Sequence, residues 1–313
     1  LLYTLKETTD ENSETFLTIR KLPDLPPEIK TAIKENKLAI FVGAGVSRIL
    51  GCDSWEQLAN NLVEVCFSVN NGDSRLINFK TKERLQNIRD SKELVTICHQ
   101  LLKQSGNESL FEKQMKKSLC FKQEIPEQKN IYKSLSKINA LFLTTNADTL
   151  IDSAFPQRGI IYKEADFSME TLDRNKLYHL HGSIKDTETL VFTASQYIQR
   201  YNDLTFTSFL KTIFEKYHVL FIGYGLSEFE VLDFLLKKSE PYTGKHFTLE
   251  PFFKGEEQFR NLRALYYKDL NIQMIDYSID ENGYKQLHDV IKFWVDQQYS
   301  LTEYLPTEAS QID

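Results

Sequence analysis

The chain has 313 residues, 41% of them hydrophobic, enough to fill one large domain core with a smaller module beside it, and its bulk composition does not indicate disorder. Lys and Arg number 38 against 44 Asp and Glu, a net charge of −6, which excludes a global basic field for nucleic acid or an anionic membrane surface. No apolar run approaches the roughly 18 residues needed to cross a bilayer, and the start lacks a charge-then-apolar leader, so a cytoplasmic location is expected.

Residues 1–30 read as an arm and linker. Leu1 to Thr18 is polar, and Leu22-Pro-Asp-Leu-Pro-Pro27 forms a stiff approach with Pro26 and Pro27 at the start of a helix over Glu28 to Asn36. A main domain is expected over 31–299. Leu38 to Val42 is an unbroken apolar run that suits a parallel strand covered on both faces, and Gly43 and Gly45 then permit a tight turn. That turn is either an ordinary strand-to-helix connection or a nucleotide-binding one. In the second case the N–H groups of Gly43, Ala44, Gly45, Val46 and Ser47, with the Ser47 hydroxyl, meet phosphate oxygens at a helix start. Arg48 either reaches the same phosphates or lies on the exposed helix side. Asp53 or Ser54 caps a helix from Trp55 whose Leu58, Leu62, Val65 and Cys66 share one face, and Trp55 itself reads as core.

Residues 70–137 carry helical patterns, for example Glu93 to Leu102 and Leu110 to Leu119, and are read as an inserted helical module able to act as a lid. Strands then follow at Ala140 to Thr145, Ile160 to Tyr162, Leu177 to Leu180, Val219 to Ile222, His246 to Leu249 and Ile272 to Asp276. Helices are expected at Ala194 to Arg200, Thr207 to Lys216, Glu228 to Lys237 and Tyr284 to Tyr299. Such alternation predicts an α/β, Rossmann-like fold, a mostly parallel sheet with helices on both faces. Residues 300–313 form a polar tail or a linker to further domains.

Open parallel sheets bind ligands at the carboxyl ends of their strands, which is where the polar clusters fall. Asn146 and Asp148 follow one strand, His181 and Gly182 another, and Gly223, Tyr224, Gly225 and Ser227 a third. Asn146 offers a donor and an acceptor, so it can fix a ribose hydroxyl or an attacking water, or merely bond a neighbouring turn. His181 is the candidate base, with an ordinary pKa near ~6.5 suited to accepting a hydroxyl proton, and a satisfied core histidine is the alternative. His179 points to the same side of the strand and reads as support or packing.

Gly43-Ala-Gly-Val-Ser47, Thr144-Thr-Asn-Ala-Asp148, Leu180-His-Gly-Ser183 and Gly223-Tyr-Gly-Leu-Ser227, in that order, resemble the NAD-binding domain of the sirtuin family. The similarity covers about Ile33 to Phe293 and is greatest to the sirtuin-like domains of bacterial anti-phage defence proteins, where Thr-Thr-Asn replaces the Thr-Gln-Asn of protein deacylases. The resemblance implies NAD as substrate, with Asn146 and His181 catalytic. It also implies pyrophosphate contacts from Gly43–Ser47 and Gly223–Ser227, a carboxamide contact from Asp148, and adenosine ribose contacts from Glu250 just past the strand His246 to Leu249. Gly-Tyr-Gly-Leu-Ser stands where many sirtuins have Gly-Thr-Ser, which puts the Ser227 contact in doubt, and Ala147 stands where a larger residue is common.

Cys52, Cys66, Cys98 and Cys120 form no Cys-x-x-Cys pair, so no metal is expected, and the zinc ribbon that helps deacylases grip an acylated peptide is missing from the pattern. The expected function is therefore NAD glycohydrolase activity, depleting NAD in anti-phage defence. The alternatives are a protein deacylase and a non-catalytic NAD or ADP-ribose sensor. Expected partners are NAD, further copies of the chain, and further domains of the same polypeptide or a phage-sensing protein. Neither nucleic acid nor membrane is indicated.

Overall fold

The structure, a computed structural model, describes residues 22–119, 125–170, 172–225, 231 and 246–300. Ser227, Cys120, the arm over 1–18, the tail from 301 and, apart from Val231, the helix expected over 228–237 lie outside the described residues.

Seven strands form one sheet: β1 (Leu38–Val42), β4 (Leu141–Thr144), β5 (Gly159–Ile161), β6 (Lys176–His179), β7 (His218–Ile222), β8 (His246–Phe252) and β9 (Ile272–Ser278). Their order is β5-β6-β4-β1-β7-β8-β9, and every neighbouring pair is parallel. This is the expected Rossmann-like architecture, with the sheet wholly parallel. The antiparallel pairing falls instead in a small hairpin, β2 (Asn70–Asn71) and β3 (Ser74–Arg75), whose turn uses Gly72 at a positive φ of 64°.

The run Leu38–Val42 is apolar throughout because both faces of its strand are covered. Leu38, Ile40 and Val42 enter one core, and Ala39 and Phe41 enter the other. The first core is closed by α1 (Pro27–Lys34), α7 (Ile131–Leu135) and α11 (Gln286–Ser300), with Trp294 wholly buried. The second is closed by α9 (Leu204–Lys216) and α10 (Glu257–Asp269). Each fully buried Leu, Ile or Phe contributes roughly 1.5–3 kcal/mol relative to exposure, so this central strand anchors both layers.

A third core belongs to a helical cluster. Leu58, Leu62, Val63 and Cys66 of α3 (Trp55–Ser68) pack with residues of α5 (Ser91–Gln104) and α6 (Glu108–Leu119), next to α4 (Phe79–Gln86). The cluster thus takes in α3, while α7 packs on the sheet against α11. α3 starts where a capping box fixes it: Gln57 N–H donates to Ser54 Oγ at 3.1 Å, and Ser54 N–H to Gln57 Oε1 at 2.7 Å. Ser54 is therefore the cap, and Asp53 accepts from Asn61 instead, at 2.9 Å.

Candidate active site

β1 is the switch point of the sheet: β4, β6 and β5 lie on one side of it, and the chain then crosses from β6 to β7, β8 and β9 on the other. A crevice forms outside the carboxyl ends of strands at such a point. Here it holds an open cleft of about 640 Å³ and a small inner chamber of about 40 Å³. Ala44, Ser54, Trp55 and Thr145 line both.

The outer cleft is bounded by Gly45, Arg48, Gly223, Tyr224, Gly225 and Glu250. Two glycine turns interlock at its floor. Gly43 N–H donates to Ile222 O at 2.9 Å and Gly45 N–H to Gly223 O at 2.8 Å. A Cβ on Gly43 would lie 2.5 Å from Gly223 O, and Gly223 adopts φ +61°. Glycine is thus required for two backbones to meet each other, and these two N–H groups are spent on that contact rather than left for phosphate. The side chain of exposed Arg48 borders the cleft, and Tyr224 packs inward on Phe41, ring centroids 4.9 Å apart.

Glu250 lies within β8, which runs three residues beyond the expected end at Leu249, and its carboxylate is already engaged. Arg263 donates to Oε2 at 3.0 Å and the Tyr267 hydroxyl to Oε1 at 2.7 Å. Both partners come from α10, a helix without an inward apolar stripe in the sequence, since Tyr267 is its buried residue. Burial would lower the Arg263 pKa, but the Glu250 carboxylate outweighs it and raises it.

The inner chamber is lined by Ser47, Asn146, Ala147, Asp148 and His181, closed over by Trp55, Leu58, Leu119 and Phe192. Sequence reasoning assigned Trp55 to the core. It is half-buried, packs on Phe192 at 4.9 Å between ring centroids, and forms a wall of both spaces.

Ser47, expected at phosphate, is turned inward. Its hydroxyl donates to Asp148 Oδ2 at 2.7 Å, so the Tyr132 hydroxyl, also at 2.7 Å, must donate to it. The other Asp148 oxygen accepts from Leu150 N–H at 3.1 Å. Burial raises the Asp148 pKa, against the opposing Ser47 and Leu150 bonds. The Asn146 amide nitrogen faces Gly43 O (3.1 Å), Ser47 Oγ (3.0 Å) and the Tyr132 hydroxyl (3.2 Å). Gly43 O can only accept, which fixes the amide orientation and leaves Oδ1 buried with no partner. Tyr132 was invisible to sequence reasoning, since it lies in the stretch read as an inserted module, remote from every motif.

His181 sits two residues past β6, followed by Gly182 at φ +79°, where a Cβ would lie 2.1 Å from Thr189 O. Its ring is buried, with Nε2 2.9 Å from the Tyr201 hydroxyl and Nδ1 3.4 Å from that of Tyr197. Both tyrosines ride on α8 (Ala194–Asn202), which a Thr193/Gln196 capping box starts at this point. Burial, then the charges of Arg200 and Lys92, lower the His181 pKa to about 3, so the imidazole is neutral.

Residues 140–275 match the family described as SIR2-like domain. That stretch is similar to a SIR2-like domain. The match includes Asn146, Asp148, His181, Gly223 and Glu250, and it starts after the helical cluster. Over 275 residues the chain is 27% identical to "Defense-associated sirtuin 2" of Bacillus subtilis, covering 83% of this chain and 25% of that protein. The chain therefore spans about a quarter of the length of that relative. Among the described residues, no helix is long and apolar enough to cross a membrane.

Proposed function

We propose that this chain is an NAD glycohydrolase, cleaving the bond between nicotinamide and ribose to release nicotinamide and ADP-ribose. One observation carries the reading: Asn146 Oδ1, buried and without a partner, borders the same chamber as the neutral imidazole of His181. In the reaction the C1′–N bond breaks with its electron pair going to the pyridinium nitrogen, so nicotinamide leaves uncharged and needs no acid. Water forms the new bond to C1′ and loses a proton. A fixed acceptor such as Asn146 Oδ1 orients that water, which passes its proton to solvent, and neutral His181 accepts a hydrogen bond from a ribose hydroxyl. The 640 Å³ cleft has the size for the remainder of a dinucleotide, with Glu250 toward the adenosine ribose.

The inner chamber has room for a few waters and none for a pyridine ring. Turnover therefore requires the wall of Trp55, Leu58, Leu119 and Phe192 to move, which makes the helical cluster the gate, with other copies, further domains or a sensing partner as its control. The defence association of the relative gives such gated NAD depletion a use: loss of NAD in an infected cell.

A second reading has its own support. Both His181 nitrogens are engaged by tyrosine hydroxyls, as in a domain that binds NAD or ADP-ribose without turnover. Incubating the chain with NAD alone and weighing the products separates them. Hydrolysis yields equal nicotinamide and ADP-ribose. Binding by calorimetry with no nicotinamide released would leave the sensor, and release only with an acyl-lysine peptide would mean a deacylase.

A further inference from the structure

The reactive side chain of the inner chamber is held from two directions, and the second uses a buried histidine. Asn146 follows β4, beyond the sheet ladder, so its main-chain groups need other partners. Its N–H donates to Thr144 Oγ1 at 3.0 Å, and its carbonyl faces His179 Nδ1 at 2.9 Å. His179 Nε2 lies 2.8 Å from Asp152 Oδ1, and the other oxygen of Asp152 accepts from Lys185 Nζ at 2.8 Å. His179 is wholly buried, and Asp152 nearly so.

We propose that His179, braced by Asp152, is a positioning residue for the hydrolysis: it pins the Asn146 carbonyl and thereby aims the Asn146 carboxamide into the chamber. The inference rests on the hydrolase reading.

A carbonyl only accepts, so Nδ1 carries a hydrogen. Burial pushes the Asp152 carboxyl up, but the bonds and charges of His179 and Lys185 outweigh this and hold it below the usual range, so Nε2 also faces an ionised acceptor. The ring is thus clamped between Asp152 and the backbone of Asn146. With Thr144 on one side and His179 on the other, the peptide groups flanking Asn146 cannot rotate. Its Cα–Cβ direction is then set before any ligand arrives. Neither Leu nor Phe at position 179 could do this, because the 146 carbonyl would be buried without a donor.

The test uses the whole chain with Asp152→Asn and His179→Gln, each alone and His179→Gln combined with Asn146→Ala. Nicotinamide release is followed at steady state and in single turnover, and ADP-ribose binding by calorimetry. A displaced carboxamide is expected to lower kcat about 10²-fold, with KM and the stoichiometry and affinity of ADP-ribose within about threefold. In the Asn146→Ala background, His179→Gln should add less than about twofold, because it acts through a group already gone. Asp152→Asn preserves volume and keeps the test sound if His179→Gln fails to fold. Wild-type rates in both single variants, or losses that multiply in the double variant, would overturn the inference while leaving the hydrolase reading intact. A wild-type chain that binds NAD but releases no nicotinamide would overturn both.

Discussion

The inner chamber and the outer cleft lie side by side at the same sheet edge, yet they are built by different means. The chamber is held by side chains: Tyr132, Ser47, Asp148 and Asn146 share one buried network, and Tyr201 and Tyr197 clasp His181. The floor of the cleft is held by main chain, where the Gly43 and Gly45 N–H groups meet Ile222 O and Gly223 O. A buried side-chain network fixes orientation to a fraction of an ångström, and losing one member strands the others. A backbone contact tolerates changes in neighbouring side chains but no added Cβ. Chemistry that needs aim is expected in the first, and binding that needs area in the second.

The largest effect that would sharpen this division is kinetic. Asn146→Ala is expected to lower nicotinamide release by about 10³-fold while ADP-ribose affinity, measured by calorimetry, stays within a few fold. Equal loss of binding would erase the distinction between aim and area. Next in size, Gly43→Ala drives a methyl to 2.5 Å from Gly223 O and should cost about 3 kcal/mol in urea unfolding, with NAD binding lost as the turns part. Unaltered stability would mean that the two backbones do not need their close approach.

A smaller effect is expected from Glu250→Gln, which weakens an interaction present in ground and transition states alike, raising KM by about tenfold and leaving kcat unchanged. A fall in kcat instead would move Glu250 into the chemistry. The gentlest test is pH. His181 and His288 have pKa values lowered by burial to about 3 and about 4, so between pH 6.5 and those values the unfolded chain binds protons that the folded one does not. Stability is then full above about 6.5 and falls on acidification, by up to about 1.4 kcal/mol per pH unit for each histidine. Asp148, whose pKa is raised by burial, acts in the opposite sense in acid. Thermal melts from pH 7 to 5 check this, and His288→Gln should flatten the slope while leaving the share of the chamber histidine. Melts that do not vary over this range would refute the burial argument.

The sheet was legible because its strands are apolar on both faces, and Leu38–Val42 and Leu141–Thr144 admit few other readings. α10 was not legible. Phe259, Leu262 and Leu265 are exposed on it, so no buried stripe marks the helix. Its contribution of Arg263 and Tyr267 to Glu250 was hidden with it. Asn146 and His181 stand out in the sequence because strand-end polar residues have few structural reasons to be there, and both border the inner chamber. Ser47 stands out in the same way, but its hydroxyl turns inward. A serine in a glycine turn can face phosphate or the interior, and only the presence of Asp148 and Tyr132 behind it decides. The helical cluster was recognised by periodicity, yet its edges depended on which core each helix enters, so α3 joined it and α7 went to the sheet.

Local pattern by itself determined the parallel α/β sheet, the glycine turns after β1 and β7, and the polar residues at the strand ends, because burial on two faces and backbone freedom are written residue by residue. Only the tertiary structure decided that Tyr132, ahead of β4, would meet the side chain of Asn146 and His179, in β6, its carbonyl, and that Trp55 would wall both spaces. A hydrogen bond between segments distant in sequence has no local signature: it exists only once packing has brought a donor and an acceptor within 3 Å and excluded the water that would otherwise serve both.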